Sequence, residues 1–212
     1  MRTIAFGLLL LISSLATADV LEVNIYKSMP GKGQTTIQYG QEAKAIQEKL
    51  GGSVILGAAL DGRMHYAMRF DNWAAWSEFG AKLQGSEEWT AFIAKISKNP
   101  SADLEENYLL NSAGPLATGG VYQVFIWEPE LGRGGDLFQN AAKAEAIHEK
   151  TGADVSILSD QLNNLHYVMF FENWDAWAKF QDTPNAEFQA FMQEASQNPA
   201  AKLVKVYTAT SL

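Results

Sequence analysis

Two stretches of the chain are nearly identical: residues 65–76 read HYAMRFDNWAAW, and residues 166–177 read HYVMFFENWDAW. The offset of 101 positions between them is constant over a long range, so that residues 20–79 align with residues 121–180 without a gap. Further on the offset falls to 99, which places a two-residue deletion in the second copy. The chain therefore contains one unit of about a hundred residues twice in tandem.

The boundary between the copies lies in residues 112–120, which are rich in glycine, proline and small polar residues and have no hydrophobic periodicity. Such a composition is typical of a linker. We therefore predict a first unit at residues 19–111, a linker at residues 112–120 and a second unit at residues 121–212.

Each unit begins with the alternation of apolar and polar residues that is typical of a β-strand, as at Leu21, Val23 and Ile25. A glycine-marked turn follows, and then a helix whose apolar residues recur at three- and four-residue steps until a glycine ends it. Next come two apolar runs joined by Asp61-Gly62 in the first copy and by Asn163-Asn164 in the second. These dipeptides predict a hairpin turn.

The rest of each unit is predicted to be a broken helix followed by a strand. Asn72 and Asn173 stand where a helix N-cap is expected, and the first of these helices breaks near Gly85. An Asn-Pro pair stops the helical segment in both copies, and an apolar strand closes each unit. The resulting order, β-α-β-β-α-β, is the ferredoxin-like arrangement.

This arrangement predicts the fold class of the whole chain, which is α+β. A ferredoxin-like sheet carries helices on one face only, and its other face needs a partner. We expect the two antiparallel sheets to cover each other as an intrachain pseudo-dimeric α/β barrel. A monomer with an internal pseudo-twofold axis is the expected state.

The beginning of the chain has the pattern of a signal peptide over residues 1–18. Arg2 is followed by an apolar run at residues 4–12, and Ala16-Thr17-Ala18 matches the small-x-small cleavage pattern. The apolar run is too short for a spanning helix, which needs about 20 residues. We expect a periplasmic or secreted protein without membrane insertion.

The composition narrows the range of partners. Sixteen basic and 24 acidic residues give a net charge of −8, which disfavours nucleic acid as a partner. The chain has no cysteine, so disulfides, thiolate nucleophiles and cysteine-based metal sites are excluded. No metal-binding or phosphate-cradling motif occurs in the sequence, and the acidic pair Glu105-Glu106 is predicted to be solvated surface. We expect no metal site and no cofactor.

The opening strand with Pro30-Gly31-Lys32, residues 68–76 and the split helix at residues 86–96 resemble the dimeric α/β-barrel superfamily. The nearest groups are the antibiotic-biosynthesis-monooxygenase-like and NIPSNAP-like domains. The resemblance covers nearly the whole chain after residue 18, copy by copy, and consists mainly of fold signatures. It implies a range of activities, because the superfamily includes cofactor-free oxygenases, haem-degrading enzymes and cyclases.

Two asparagine–tryptophan pairs are candidate catalytic residues: Asn72 with Trp76, and Asn173 with Trp177. Some cofactor-free oxygenases of this superfamily place an asparagine and a tryptophan at a similar spacing beside a polyaromatic substrate. The alternative is structural, because each asparagine is a plausible helix cap and each tryptophan lies on a core-facing stripe.

His65 and His166 are further candidates, either as proton donors or as ligands inside the barrel, because the pKa of histidine lies near neutrality. The alternative is a half-exposed histidine on a strand. Strand alternation puts each histidine and the following tyrosine on opposite faces, so only one of the two can line the interior. His148, whose counterpart in the first copy is Gln47, is predicted to be a surface residue of its helix.

Aromatic and methionine side chains are dense around the predicted space between the sheets, and such a lining suits a small apolar or aromatic ligand. The candidate ligand-binding residues are Tyr66, Met68, Tyr167, Met169 and Arg69. Differences between the copies, such as Gly57 against Leu158 and Arg69 against Phe170, indicate where a single site was made.

Three functions are compatible with these patterns. The first is a binding protein for a small apolar or aromatic molecule, held between or beside the two sheets. The second is a cofactor-independent monooxygenase-like enzyme that acts on an aromatic substrate. The third is a haem-binding or haem-processing protein.

Overall fold

The computed structural model describes residues 19–212, and the predicted signal peptide at residues 1–18 lies outside this range. The elements of the first unit are β1 (Val20–Ser28), α1 (Gly33–Lys49), β2 (Ser53–Ala59), β3 (Arg63–Phe70), α2 (Trp73–Gln84), α3 (Glu87–Lys98) and β4 (Ala102–Ser112). Those of the second unit are β5 (Val121–Pro129), α4 (Gly134–Glu149), β6 (Asp154–Asp160), β7 (Leu165–Phe171), α5 (Trp174–Asp182), α6 (Ala186–Gln197) and β8 (Ala201–Ser211). Both units have the ferredoxin-like order with a divided second helix, as predicted.

The hairpin turns form where the sequence indicated them. Gly62 has a φ of 83°, and Asn163 has a φ of 68°. Glycine adopts this left-handed region without a steric cost, and asparagine tolerates it better than most residues. The turn chemistry thereby sets the register in which β3 pairs with β2 and β7 pairs with β6.

The eight strands form one closed antiparallel barrel in the order β1-β3-β2-β8-β5-β7-β6-β4. The two units join at both edges, through β2 with β8 and through β4 with β6. Strands β1 and β5 occupy equivalent positions on opposite sides of the ring. The predicted intrachain pseudo-dimeric α/β barrel is confirmed, and closure of the ring leaves no free sheet edge.

Strand alternation divides the core into layers. Tyr66, Met68 and Phe70 of β3 pack beneath the helices of the first unit, whereas His65 and Ala67 line the inside of the barrel. The second unit repeats this division, with Tyr167, Met169 and Phe171 beneath the helices and with His166, Val168 and Phe170 inside the barrel. The interior face of the strands, which the sequence left open, is therefore the histidine face.

The connection between the units runs across one end of the barrel. Strand β4 continues to Ser112, and Ala113 N donates to Ile157 O of β6. Ala117 N donates to Ser156 Oγ, and Leu116 packs against the apolar cluster inside the barrel. Within residues 19–212, no helix combines the length and the apolar composition needed to cross a membrane.

Candidate functional site

Each unit has a cavity between its helices and the outer face of its sheet. The cavity of the second unit has a volume of about 580 Å³, and that of the first unit has a volume of about 480 Å³. A third cavity of about 350 Å³ lies inside the barrel. All three fall within the size range of small-molecule sites.

The second-unit cavity is lined by one face of helix α4, by strands β5 and β7 and by helix α6. Leu137, Ala141, Ala144 and His148 recur on α4 at steps of three or four residues, so their side chains point to the same side of the helix. Phe188 of α6 lies opposite, with its ring centroid 4.3 Å from that of His148.

A hydrogen-bonded pair lies at the base of this cavity. His148 Nδ1 is 2.9 Å from Tyr167 Oη, and both side chains are buried. Burial lowers the pKa of His148 to about 4 and raises that of Tyr167, because each charged form would lose its hydration. Both groups are therefore neutral at pH 7, and they place a buried polar pair in a cavity whose lining is mainly apolar but also includes Gln123, Asn140, Gln181 and Ser196.

The first-unit cavity has the same plan with different chemistry. Tyr66 Oη donates to Gln47 Oε1, which occupies the position of His148. The Thr36 hydroxyl, which donates to Ser101 O at 3.0 Å, corresponds to Leu137 in the second unit, where no hydroxyl is present. The second-unit cavity is accordingly the more apolar of the two.

The second cavity is also the larger, because several lining side chains are smaller or missing. Ala195 replaces Ile96, and Phe188 replaces Trp89. Helix α5 has 9 residues where α2 has 12, and Leu83, which lines the first cavity, has no apolar counterpart beyond the end of α5.

Four of the five predicted ligand-binding residues line these two cavities. Tyr66 and Met68 line the first, and Tyr167 and Met169 line the second. They lie beside the sheets and not between them, because their strand positions face the helices. Arg69 lies on the other face of β3 and forms an ion pair with Asp19 at 2.8 Å.

The asparagine–tryptophan pairs lie at the helix starts. Asn72 Oδ1 accepts from Ala75 N at 2.9 Å, and Asn173 Oδ1 accepts from Ala176 N at 3.0 Å. The side chains of both asparagines are thus N-caps, and neither pair is among the residues that line the cavities. This geometry favours the structural alternative for both pairs.

The two tryptophans differ in their polar contacts. Trp76 Nε1 donates to Glu22 Oε2 at 2.8 Å. The residue equivalent to Glu22 is Gln123, and Trp177 Nε1 is buried with no hydrogen-bond partner in the described part of the chain. The second copy therefore leaves one buried donor unsatisfied that the first copy satisfies.

This difference predicts the effect of the substitution Gln123→Glu. A carboxylate at this position would accept from Trp177 Nε1, so we expect the free energy of unfolding at pH 7 to rise by about 1 kcal/mol. Urea denaturation measures this. The matched control Glu22→Leu removes the acceptor of the Trp76 Nε1 hydrogen bond in the first unit and should lower stability by a similar amount. No change in either variant would contradict the assigned contacts.

His65 and His166 both line the barrel interior and are buried. His65 Nδ1 is 3.1 Å from Tyr122 Oη, and His166 Nε2 is 3.4 Å from Asp160 Oδ2. Desolvation lowers the pKa of His65 to about 4 and also lowers the pKa of His166, although the neighbouring carboxylates act in the opposite direction. The structure thus brings the two histidines to one chamber, while the tyrosines that follow them face the helices.

The prediction that His148 is a surface residue is wrong, since the side chain is 6% exposed. The signal was present in the sequence, because His148 continues the helical stripe of Leu137, Ala141 and Ala144. The prediction of solvated surface was also wrong for Glu106. This carboxylate accepts from Tyr207 Oη at 2.8 Å and pairs with Lys205 at 2.8 Å at one end of the barrel.

Comparisons with known proteins establish the fold. No family model and no curated protein sequence matches this chain. Among solved structures, a candidate monooxygenase from Lactobacillus acidophilus NCFM has a TM-score of 0.64 at 15% identity, covering 92% of this chain and 94% of that one. A candidate monooxygenase from Fusobacterium nucleatum has a TM-score of 0.60 at 13% identity, covering 92% of each chain.

A haem-binding protein from Thermus thermophilus has a TM-score of 0.55 at 10% identity, covering 92% of this chain and 91% of that one. Likeness at these identities shows a shared fold. The chain has the dimeric α/β-barrel fold of the monooxygenase-like proteins. In this protein a single chain supplies both halves of the barrel.

Proposed function

We propose that this protein binds a small apolar or aromatic molecule in the cavity between the helices and the sheet of the second unit. One observation carries the proposal: of two duplicated cavities, the second is larger and more apolar, yet it keeps a buried hydrogen-bonding pair, His148 and Tyr167. Packing alone gives no reason for a cavity of about 580 Å³, since protein interiors are close-packed.

The lining supports this class of ligand. Phe125, Phe188 and Phe191 present aromatic surface to the cavity, and within residues 19–212 no aspartate, glutamate, lysine or arginine lines it. An aromatic ligand would gain apolar burial and ring contacts there. A single polar substituent would find the imidazole and the phenol of His148 and Tyr167, which are both neutral at pH 7.

The oxygenase and haem alternatives receive less support. The asparagines on which the oxygenase alternative depends act as helix caps. His65 and His166, on which the haem alternative depends, line the smallest of the three cavities, and each has a ring nitrogen in contact with a neighbouring side chain. We therefore propose ligand binding in the second-unit cavity.

The proposal is tested with the neutral fluorescent aromatic probe N-phenylnaphthylamine. We expect the purified protein to enhance its fluorescence saturably. The substitution Ala195→Phe places a phenyl ring in the second cavity and should weaken binding at least about tenfold. The matched control Ile96→Phe alters the equivalent position of the first cavity and should leave the affinity unchanged.

Circular dichroism and thermal unfolding of both variants establish that they are folded. Equal loss of binding in the two variants, or a probe that does not bind the protein at all, would refute the proposal. Export from the cytoplasm remains part of the same proposal, because it depends on the signal-peptide pattern of residues 1–18.

A further inference from the structure

The chamber inside the barrel is separate from the cavity discussed above. It has a volume of about 350 Å³, and the inward faces of the strands form most of its wall. Val23, Ala67 and Val124 point into the barrel and keep accessible surface, so an occupant of the chamber can touch their side chains. An apolar cavity of about 150 Å³ is large enough to bind benzene. The chamber therefore has room for one small organic molecule.

One end of the chamber is closed by a network of paired polar groups. The hydroxyl groups of Tyr108 and Tyr207, two residues that line the chamber, donate to the carboxylate of Glu106. The same carboxylate lies 2.8 Å from Lys205 and 3.4 Å from Arg63. A charged occupant would give up its hydration without gaining a free counter-charge at this end. The chamber therefore favours an uncharged molecule.

In the part of the chain that the structure describes, the other polar side chains deep in the chamber offer no free hydrogen-bond donor to an occupant. Tyr122 Oη is 3.1 Å from His65 Nδ1, and His166 Nε2 is 3.4 Å from Asp160 Oδ2. Ser156 Oγ accepts from a backbone N–H of the linker at 2.8 Å. His65 Nε2 has no partner there, but it is fully buried, so an occupant of the chamber does not reach it. A carbonyl oxygen brought into the chamber would therefore lose its hydration without finding a donor.

The other end of the chamber has an opening, which the linker leaves on one side. Three of the residues that line the chamber are exposed to solvent, and they are Ile55, Thr118 and Ser211. Ile55 is 39% exposed, whereas its counterpart in the second copy, Ser156, is 2% exposed beneath the linker, where Ala117 N donates to its hydroxyl oxygen. Because the chain has one linker for two equivalent positions, one of them is covered and the other is not. The opening therefore lies beside Ile55.

We propose that the barrel chamber is a second binding site, which takes a small uncharged hydrocarbon through the opening beside Ile55. The apolar inward faces of the strands enclose the molecule, and its affinity comes from the burial of apolar surface. This site goes beyond the proposed function, since it uses a different cavity. It also differs in selectivity, because the chamber disfavours the polar substituent that His148 and Tyr167 accommodate in the second-unit cavity.

The test is an NMR titration of the purified protein, labelled with ¹³C in its valine methyl groups. Val23, Val124 and Val168 line the chamber, whereas no valine among residues 19–212 lines either helix–sheet cavity. We expect α-methylstyrene to shift these methyl signals saturably. Acetophenone has the same shape with a carbonyl oxygen in place of the methylene group, and it should bind the chamber at least about tenfold more weakly, because its oxygen finds no donor.

Two adjacent substitutions on β3 separate the chamber from the helix–sheet cavities. Ala67→Phe places a phenyl ring in the chamber and should weaken the binding of α-methylstyrene at least about tenfold. The matched control Met68→Phe alters the opposite face of the same strand, in the first-unit cavity, and should leave this affinity unchanged. Circular dichroism establishes that both variants are folded. Labelled methyl groups of Ala141 and Ala144 report on the second-unit cavity, so failure of the proposed function would leave the valine result standing.

Three outcomes would overturn the inference. They are valine methyl signals that do not respond to α-methylstyrene, acetophenone that binds the chamber as tightly as α-methylstyrene, and a folded Ala67→Phe variant that keeps the full affinity. If Ala67→Phe does not fold, the comparison of the two probes on the parent protein decides.

Discussion

The substitution Gly57→Leu is expected to lower the free energy of unfolding by about 3 kcal/mol, although the equivalent position in the second copy is already a leucine, Leu158. The destabilisation comes from a clash with the side chain of Tyr122 and not from placing a leucine in a β-strand. A Cβ atom at position 57 overlaps Tyr122 Oη, and the phenol cannot move away without leaving His65. Urea denaturation monitored by tryptophan fluorescence gives the stability difference.

The residue at the equivalent position of the other copy shows which second substitution should compensate for the clash. Leu21 is the counterpart of Tyr122, and it packs in the same apolar cluster as Leu158. Adding Tyr122→Leu to Gly57→Leu should therefore restore most of the loss, with a coupling free energy of about 2 kcal/mol between the two positions. Additive effects of the two substitutions would show that the glycine does not serve the tyrosine.

Stability should also fall as the pH is lowered from 7 to 4, and part of this fall should come from the buried histidines. Burial lowers the pKa of both His148 and His65 to about 4, whereas the ordinary value is 6.5. Between these values the unfolded chain binds a proton that the folded chain does not. Each histidine therefore costs about 3 kcal/mol of stability over this pH range, and the loss levels off below pH 4, where both states bind the proton.

The substitution His148→Gln isolates one of these contributions. Glutamine is the residue of the first copy at this position, where Gln47 accepts from Tyr66. We expect the variant to fold and to lose about 3 kcal/mol less stability than the parent protein between pH 7 and pH 4. The reciprocal substitution Gln47→His should steepen the pH dependence. Parallel stability–pH curves for the parent and His148→Gln would contradict the burial of a neutral imidazole.

Much of the fold could be read from local patterns. The repeat, the alternating strands, the Asp61-Gly62 turn and the Asn72 and Asn173 caps depend on neighbours in sequence, and each of them formed as predicted. The packing of the two sheets into one barrel could also be predicted from the sequence, since an exposed apolar sheet face needs a partner.

The candidate sites could be predicted from the sequence less completely than the fold. Alternation showed that His65 and Tyr66 face opposite ways, but it gave no means of choosing the inner face, because both faces of β3 are apolar. The larger cavity arises from differences such as Ala195 for Ile96, whose effect depends on the distance between a helix and a sheet. His148 was predicted to lie on the surface because its counterpart in the first copy is Gln47, whereas its burial follows from its place on the helical stripe of Leu137, Ala141 and Ala144.

The sequence by itself therefore determined that this protein is one ferredoxin-like unit used twice, since helix periodicity, strand alternation and turn residues act over a few positions of the chain. Only the tertiary structure decided which residues meet: Gly57 with Tyr122 and His65 in the barrel, and His148 with Tyr167 beneath the helices. These contacts join segments far apart in sequence. They depend on barrel closure and on the volume that the packed side chains leave free, which no local pattern encodes.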